Sequence, residues 1–298
     1  MSLVHAITGE HGRFRRWSLY IFARYLEMPL MYWGYHLLRG RYRRLGTNRL
    51  VRAIGSWAVA APFGYAGDTA RPMPAPEVLR LIDELHPPSL DGAPSIDGAV
   101  STDRDRSRTA SIAVGPCRCR AAHKACDHPL ETDIVIRTGV AAWTRAFPHE
   151  YRLIDKEEAK RIVSECSEQG MWPMVFVHCP VHAHRTTQRD NGLSAEGLRR
   201  ASPAVHDNEY VICNCCTCGC VPYMLNRDLG QRVYPLLRGA YVAETDLHRC
   251  TGHGGCVEAC PFDVRALVDG KVQLVDACFG CGVCVAACPE QAIQMRPT

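Results

Sequence analysis

The chain has 298 residues, 47% of them hydrophobic and 22% charged, and carries a net charge of +4. That length and apolar fraction allow two or three structural units around real cores and exclude an intrinsically disordered chain. Its seventeen cysteines are clumped in dense runs and not spread in pairs across loops. This excludes a small disulfide scaffold and points to metal ligation in a reducing, cytoplasmic setting.

Residues 1–60 hold ten arginines against two glutamates, +8, which leaves −4 for the rest of the chain. Within them Trp17 to Leu38 is a mostly aromatic and aliphatic stretch flanked by arginines and long enough to span a bilayer. Arg24, Glu27 and Pro29 lie in its middle, and each charge at that depth costs about 2.5–3.5 kcal/mol. The segment is therefore expected to be a docking helix. It would bring the chain to redox partners or a larger redox complex, or through residues 13–52 to the cytoplasmic face of a membrane. Aromatic interleaving and the long apolar stretch argue against nucleic acid as the partner of these arginines.

Residues 61–110 contain a short helix and a linker. Pro72, Pro74 and Pro76 lead into Glu77 to His86, where Val78, Leu79, Leu81, Ile82 and Leu85 form one apolar face; residues 89–110 are polar. Residues 111–245 form a cysteine-rich central domain, expected to be of α/β type. Strands are predicted at Ser111–Val114, Asp133–Arg137, Met174–Val177 and Tyr210–Ile212. A helix is predicted from Asp155, with Glu158 as its capping-box partner, to Gln169. Cys166 falls on that helix's apolar face, as a core residue would.

Eight thiols of the central domain stand apart as candidate metal ligands: Cys117, Cys119 and Cys126, then Cys213, Cys215, Cys216, Cys218 and Cys220. Eight suffice for two four-ligand sites, either one or two further iron-sulfur clusters or zinc. In extended backbone Cys213 and Cys215 face one way, and Cys216, Cys218 and Cys220 the other. Arg118 and Arg120 would set positive charge beside such a site. His178, Cys179, His182 and His184 read as a polar loop more readily than as a further site.

The last unit, 246–298, carries the firmest signal. Cys250, His253, Cys256 and Cys260 recur 28 residues later as Cys278, Cys281, Cys284 and Cys288, and a proline follows each run. The second copy, Cys-x2-Cys-x2-Cys-x3-Cys-Pro, has the spacing that wraps a cubane cluster. Residues 246–297 resemble bacterial two-cluster ferredoxins, a pseudo-twofold fold with two [4Fe-4S] clusters. The resemblance implies one cluster on Cys278, Cys281, Cys284 and Cys260, and the other on Cys250, His253, Cys256 and Cys288. His253 departs from the pattern. As a ligand it would raise that cluster's potential; unbound, it would leave a three-iron cluster.

The chain is thus expected to be an α+β iron-sulfur electron-transfer protein or redox-complex subunit, more a carrier than a stand-alone enzyme. It has no phosphate-binding loop, dinucleotide fingerprint or nucleophile motif. Two other readings compete: an iron-sulfur reductase with a catalytic central cluster, and a zinc-stabilised scaffold with a ferredoxin tail.

Overall fold

A computed structural model describes residues 71–85, 112–124, 126–137, 140, 143–144, 147–178, 209–230 and 236–298. It also describes eight single positions of the N-terminal segment: Tyr25, Pro29, Tyr32, Trp33, Tyr35, His36, Asn48 and Leu50. The linker 89–110, most of Trp17–Leu38, and Cys179, His182 and His184 lie outside the described residues.

The central unit is built on a six-stranded sheet of β1 (Arg71–Pro72), β2 (Ile112–Pro116), β3 (Glu131–Arg137), β4 (Arg152–Leu153), β5 (Trp172–His178) and β6 (Glu209–Cys215). The strand order is β1-β5-β6-β3-β2-β4, and every pairing is antiparallel. The expectation of an α/β-type centre is therefore corrected to α+β. Periodicity locates strands but not their direction, and the one helix between β2 and β3, α2 (Arg118–His123), is too short for a crossover that covers a sheet face.

Helices α1 (Ala75–Leu85) and α3 (Lys156–Glu168) pack against each other and on one face of this sheet. The Asp155 carboxylate caps α3 by accepting from the Glu158 amide at 2.7 Å, while the Glu158 side chain pairs with Arg152 and Arg161. Only half of the expected capping box forms. The helices bury Val78, Leu81, Ile82, Leu85, Ile162 and Cys166 against Ile112, Val114, Ile134, Ile136, Val175 and Ile212.

Because strand side chains alternate, the odd partners of that core face the other way. Met174 pairs with Cys213 and Trp172 with Cys215, so both cysteines lie on the sheet face opposite α1 and α3. Against that face sit α4 (Val221–Leu229), which begins directly after Cys220, and the C-terminal unit. Tyr35 of the N-terminal segment is also buried here, and its hydroxyl donates to Asp228 Oδ2 at 2.7 Å. At least this residue docks within the chain itself. Among the described residues no helix is long and apolar enough to cross a membrane.

The C-terminal unit repeats itself in its backbone. Strand β7 (Tyr241–Thr245) pairs with β10 (Ile293–Pro297), and β8 (Arg265–Val268) with β9 (Lys271–Leu274); a shift of 28 residues maps one pair onto the other. Gly254 and Gly282 take left-handed conformations at the starts of α5 (Gly255–Glu258) and α6 (Val283–Ala286). Even Asp263 and Gln291, again 28 apart, share a positive φ of 53° and 49°.

Candidate metal centres

Cys260, Cys278, Cys281 and Cys284 line a single cavity beneath Phe262 and Phe279. The glycine-started turn of α6 presents Cys281 and Cys284, and Cys260 of the other copy of the motif lines the same cavity. These thiols surround a space instead of meeting at a point, which fits a cluster of several irons. Cys250, Cys256 and Cys288 share a buried group with Ala243, Val272 and Ile293, which Cys284 also joins and Cys278 packs against. Backbone amides point at sulfur in both halves, Gly280 N at Cys278 Sγ (3.3 Å) and Ala292 N at Cys288 Sγ (3.4 Å).

Burial pushes the Cys284 thiol up to about 12 and raises Cys281 as well. Against that burial stands Arg265, itself only 3% exposed, whose Nη1 lies 3.8 Å from Cys284 Sγ and 3.2 Å from the Ala243 carbonyl. Its Nη2 bonds the Thr245 hydroxyl. His253 is the outlier of the repeat: its side chain is 39% exposed, with Nδ1 3.8 Å from a Glu290 carboxylate oxygen. Nε2 turns the other way, over Gly255, close enough that a Cβ there would meet it at 2.6 Å.

The eight central thiols divide into two groups, though not along the expected line. Cys126 Sγ lies 3.8 Å from Cys216 Sγ, Cys216 Sγ 3.3 Å from Cys218 Sγ, and Cys218 Sγ 3.4 Å from Nδ1 of His128. All four ligand atoms fall within 4.8 Å of one another; among the described residues no other such group of three or more does so. His128 was not among the sequence candidates, although the Cys126-Asp127-His128 spacing already placed it two residues beyond a candidate ligand.

Cys117, Cys119, Cys213, Cys215 and Cys220 form the other group, on the side of the sheet away from α1 and α3. Cys117 precedes α2, Cys119 lies in it, and Cys220 precedes α4. Thiols pair as Cys117 with Cys119 and as Cys215 with Cys220, and Cys119 feels the charge of Cys220. Cys220 therefore sides with Cys213 and Cys215, not with Cys216 and Cys218. The turn at 217–219 ends the extended backbone and defeats the alternation that the sequence suggested. Cys213 donates to Asp133 Oδ1 at 2.8 Å, and Tyr151 donates to Asp133 Oδ2 at 2.7 Å. Burial and the Asp133 charge both hold Cys213 protonated.

The two arginines of Cys117-Arg118-Cys119-Arg120 have different fates. Arg118 pairs with Glu150 at 2.8 Å and lies over the Phe147 ring. Arg120, 3% exposed, runs between the two thiol groups; Nη1 lies 2.6 Å from the Asn214 carbonyl and 3.8 Å from Cys216 Sγ, and Nη2 bonds the Thr132 hydroxyl. The Cys117 thiol is lowered to about 7, first by its bond with Cys119, against burial, and then by the Arg120 charge. Cys166 is buried in the helical core, as its periodicity indicated. His178 ends β5 opposite Glu209.

The family model described as a 4Fe-4S dicluster domain matches residues 240–289. No curated protein and no solved structure matches the chain. The C-terminal unit is therefore a ferredoxin-type dicluster domain. It supports an iron-sulfur electron-transfer role, and the match leaves the preceding residues unassigned.

Proposed function

We propose that this chain relays electrons, as a carrier or as a subunit of a larger redox complex, between its dicluster domain and a third cluster held by Cys117, Cys119, Cys215 and Cys220. Iron-sulfur clusters, when bound, accept and return one electron at a time. The observation that carries the reading is one buried group in which Cys215 and Cys220 of the centre share packing with Cys260 and Cys281 of the dicluster domain. Trp172, Tyr223, Phe262 and Phe279 fill the joint, Phe262 and Phe279 stacked with centroids 4.2 Å apart. These rings exclude water between the two cysteine sets and hold them at fixed separation.

Cys119, Cys213, Cys215 and Cys220 pack in this joint and Cys117 bonds Cys119, five thiols where four are needed. Cys213 is the one left over, because its proton is engaged by Asp133. In the dicluster domain, His253 joins Cys250, Cys256 and Cys288 through Nε2, with Glu290 facing Nδ1. A carboxylate on the far nitrogen of a ligating imidazole orients the ring and raises its basicity. The arginine-rich N-terminal segment supplies the docking surface for the redox partner or the membrane.

Anaerobically purified full-length protein tests this by iron content and by electron paramagnetic resonance at stepped potentials. About twelve irons per chain and three reducible clusters are expected, against about eight if clusters are confined to the tail. Cys119→Ser and Cys220→Ser should each remove the same third signal and spare the other two. Eight irons and two signals, unchanged in both variants, would overturn the relay.

A further inference from the structure

The cysteine groups of this chain differ in how closely their ligand atoms converge. Those around the C-terminal cavity stand apart and enclose a space. Those at Cys126, Cys216 and Cys218, with His128, touch one another. A cubane interposes itself among all of its ligands, and four ligand atoms that all lie within 4.8 Å of one another leave it no room. A single ion can. Thiolates bound to one zinc at about 2.3 Å with tetrahedral angles stand roughly 3.8 Å apart, and a sulfur and an imidazole nitrogen stand slightly closer. The observed 3.8 and 3.3 Å between sulfurs and 3.4 Å from sulfur to nitrogen lie at or up to half an ångström below those separations.

We infer that Cys126, His128, Cys216 and Cys218 form a mononuclear zinc site, chemically separate from the iron-sulfur clusters. Three thiolates and one imidazole complete a tetrahedral shell, leaving no position for substrate. This is the pattern of structural zinc and not of catalytic zinc. Each ligand comes from irregular chain: Cys126 and His128 from the segment between α2 and β3, Cys216 and Cys218 from the turn after β6. The ion would tie together two loops 90 residues apart in sequence, where hydrogen-bonded secondary structure supplies nothing.

Charge fits an anionic metal centre at this place. Zinc with three thiolates and neutral imidazole carries one net negative charge. Arg120 is the buried cation beside it, 3.8 Å from Cys216 Sγ. Among the described residues its hydrogen-bond partners are a carbonyl, a hydroxyl and that sulfur, none of them a carboxylate. A guanidinium buried with only neutral acceptors is costly, and an anionic metal centre at this distance offsets it.

The site's location also fits support of a neighbouring centre. The Cys216–Cys220 turn carries zinc ligands at one end and Cys220, which faces the Cys117 group, at the other. Gly219 packs against the Arg120 side chain, where a Cβ would approach its Cγ to 2.6 Å. Fixing Cys216 and Cys218 on zinc thus fixes the register in which Cys215 and Cys220 meet the joint. The zinc assignment itself does not depend on the electron relay.

Full-length protein, purified anaerobically, should contain about one zinc per chain by elemental analysis in addition to its iron. His128→Ala and Cys126→Ser should each lose that zinc while the C-terminal cluster signals persist. Should these variants fail to fold, wild-type protein grown with cobalt gives a second reading: the intense near-ultraviolet thiolate-to-cobalt bands and visible bands of a tetrahedral ion are expected. Zinc well below one per chain, or loss of about four irons in His128→Ala, would overturn the assignment in favour of iron. Weak octahedral cobalt bands would overturn it too. Absence of cubane signals with zinc retained would instead sink the relay and leave the zinc site standing.

Discussion

The hydroxyl of Tyr223 donates a 2.6 Å hydrogen bond to the carbonyl of Pro261. Tyr223 lies in the first turn of α4, three residues after Cys220; Pro261 directly follows Cys260. One bond therefore links the residue neighbourhoods of a central thiol and of a dicluster thiol. The Tyr223 ring packs edge-on against both Trp172 and Phe262, so the link is buried in an aromatic joint.

Tyr223→Phe removes the hydroxyl alone and leaves the Pro261 carbonyl buried without that donor. A loss of about 1 kcal/mol is expected in denaturant unfolding. Tyr223→Ala also empties the joint and should cost roughly 3–5 kcal/mol. If the relay runs through this joint, Tyr223→Ala should slow reduction of the central cluster while the dicluster domain is still reduced at the wild-type rate. Equal rates at both centres would place electron entry elsewhere.

Arg265 and Arg120 solve the same problem twice. Each is buried, each offers Nη1 to a strand carbonyl and to a cysteine sulfur at 3.8 Å, and each bonds a threonine hydroxyl through Nη2. Positive charge beside a cluster favours the more negative, reduced form. Arg265→Met should therefore lower the potential of the cluster nearest Cys284 by on the order of tens of millivolts, and Arg265→Lys by less. Potentiometric titration reads this directly. A midpoint unmoved in Arg265→Met, with the cluster spectrum intact, would show that the charge is compensated in both redox states.

Much of this was legible in the sequence because it rests on local spacing. The 28-residue repeat encodes loop, turn and strand alike, down to the paired positive φ of Asp263 and Gln291. Asp155 and the apolar positions of α3 likewise announced their helix. Strand direction was not legible, since antiparallel and parallel strands alternate side chains identically. The division of the central thiols was hidden too, because the turn at 217–219 redirects Cys220, and His128 is joined to Cys218 only by folding. Arg118 and Arg120 look equivalent in sequence; only Glu150 and Phe147 on one side, and Asn214 and Thr132 on the other, separate them.

Cys166 offers a pH test of the helical core. Burial pushes its thiol up to about 11 from an ordinary 9.0. The folded state thus retains a proton that the unfolded chain gives up near pH 9. That contribution is complete below pH 9 and is lost as pH rises towards 11, amounting to about 2 kcal/mol by pH 10.5. Cys166→Ala pays a pH-independent cavity cost but has no thiol to ionise. The stability gap between wild type and variant, measured by urea unfolding, should therefore narrow from pH 8 to pH 10.5. A constant gap would show that Cys166 titrates normally.

His253 is where the repeat breaks, and its two nitrogens give separable tests. If Nε2 ligates, His253→Cys exchanges a neutral ligand for a thiolate and adds a negative charge to the cluster. The potential of that cluster should fall by on the order of a hundred millivolts, while the one on Cys260, Cys278, Cys281 and Cys284 stays put. Glu290 faces Nδ1 at 3.8 Å and makes the imidazole more electron-rich. Glu290→Gln should then shift the same cluster in the opposite direction, upward and by less, and have no effect in the His253→Cys background. A Glu290→Gln shift that persists without the imidazole would mean that the carboxylate acts through space. Unchanged spectra and potential in His253→Cys would mean that the imidazole is no ligand, and that three cysteines hold this centre.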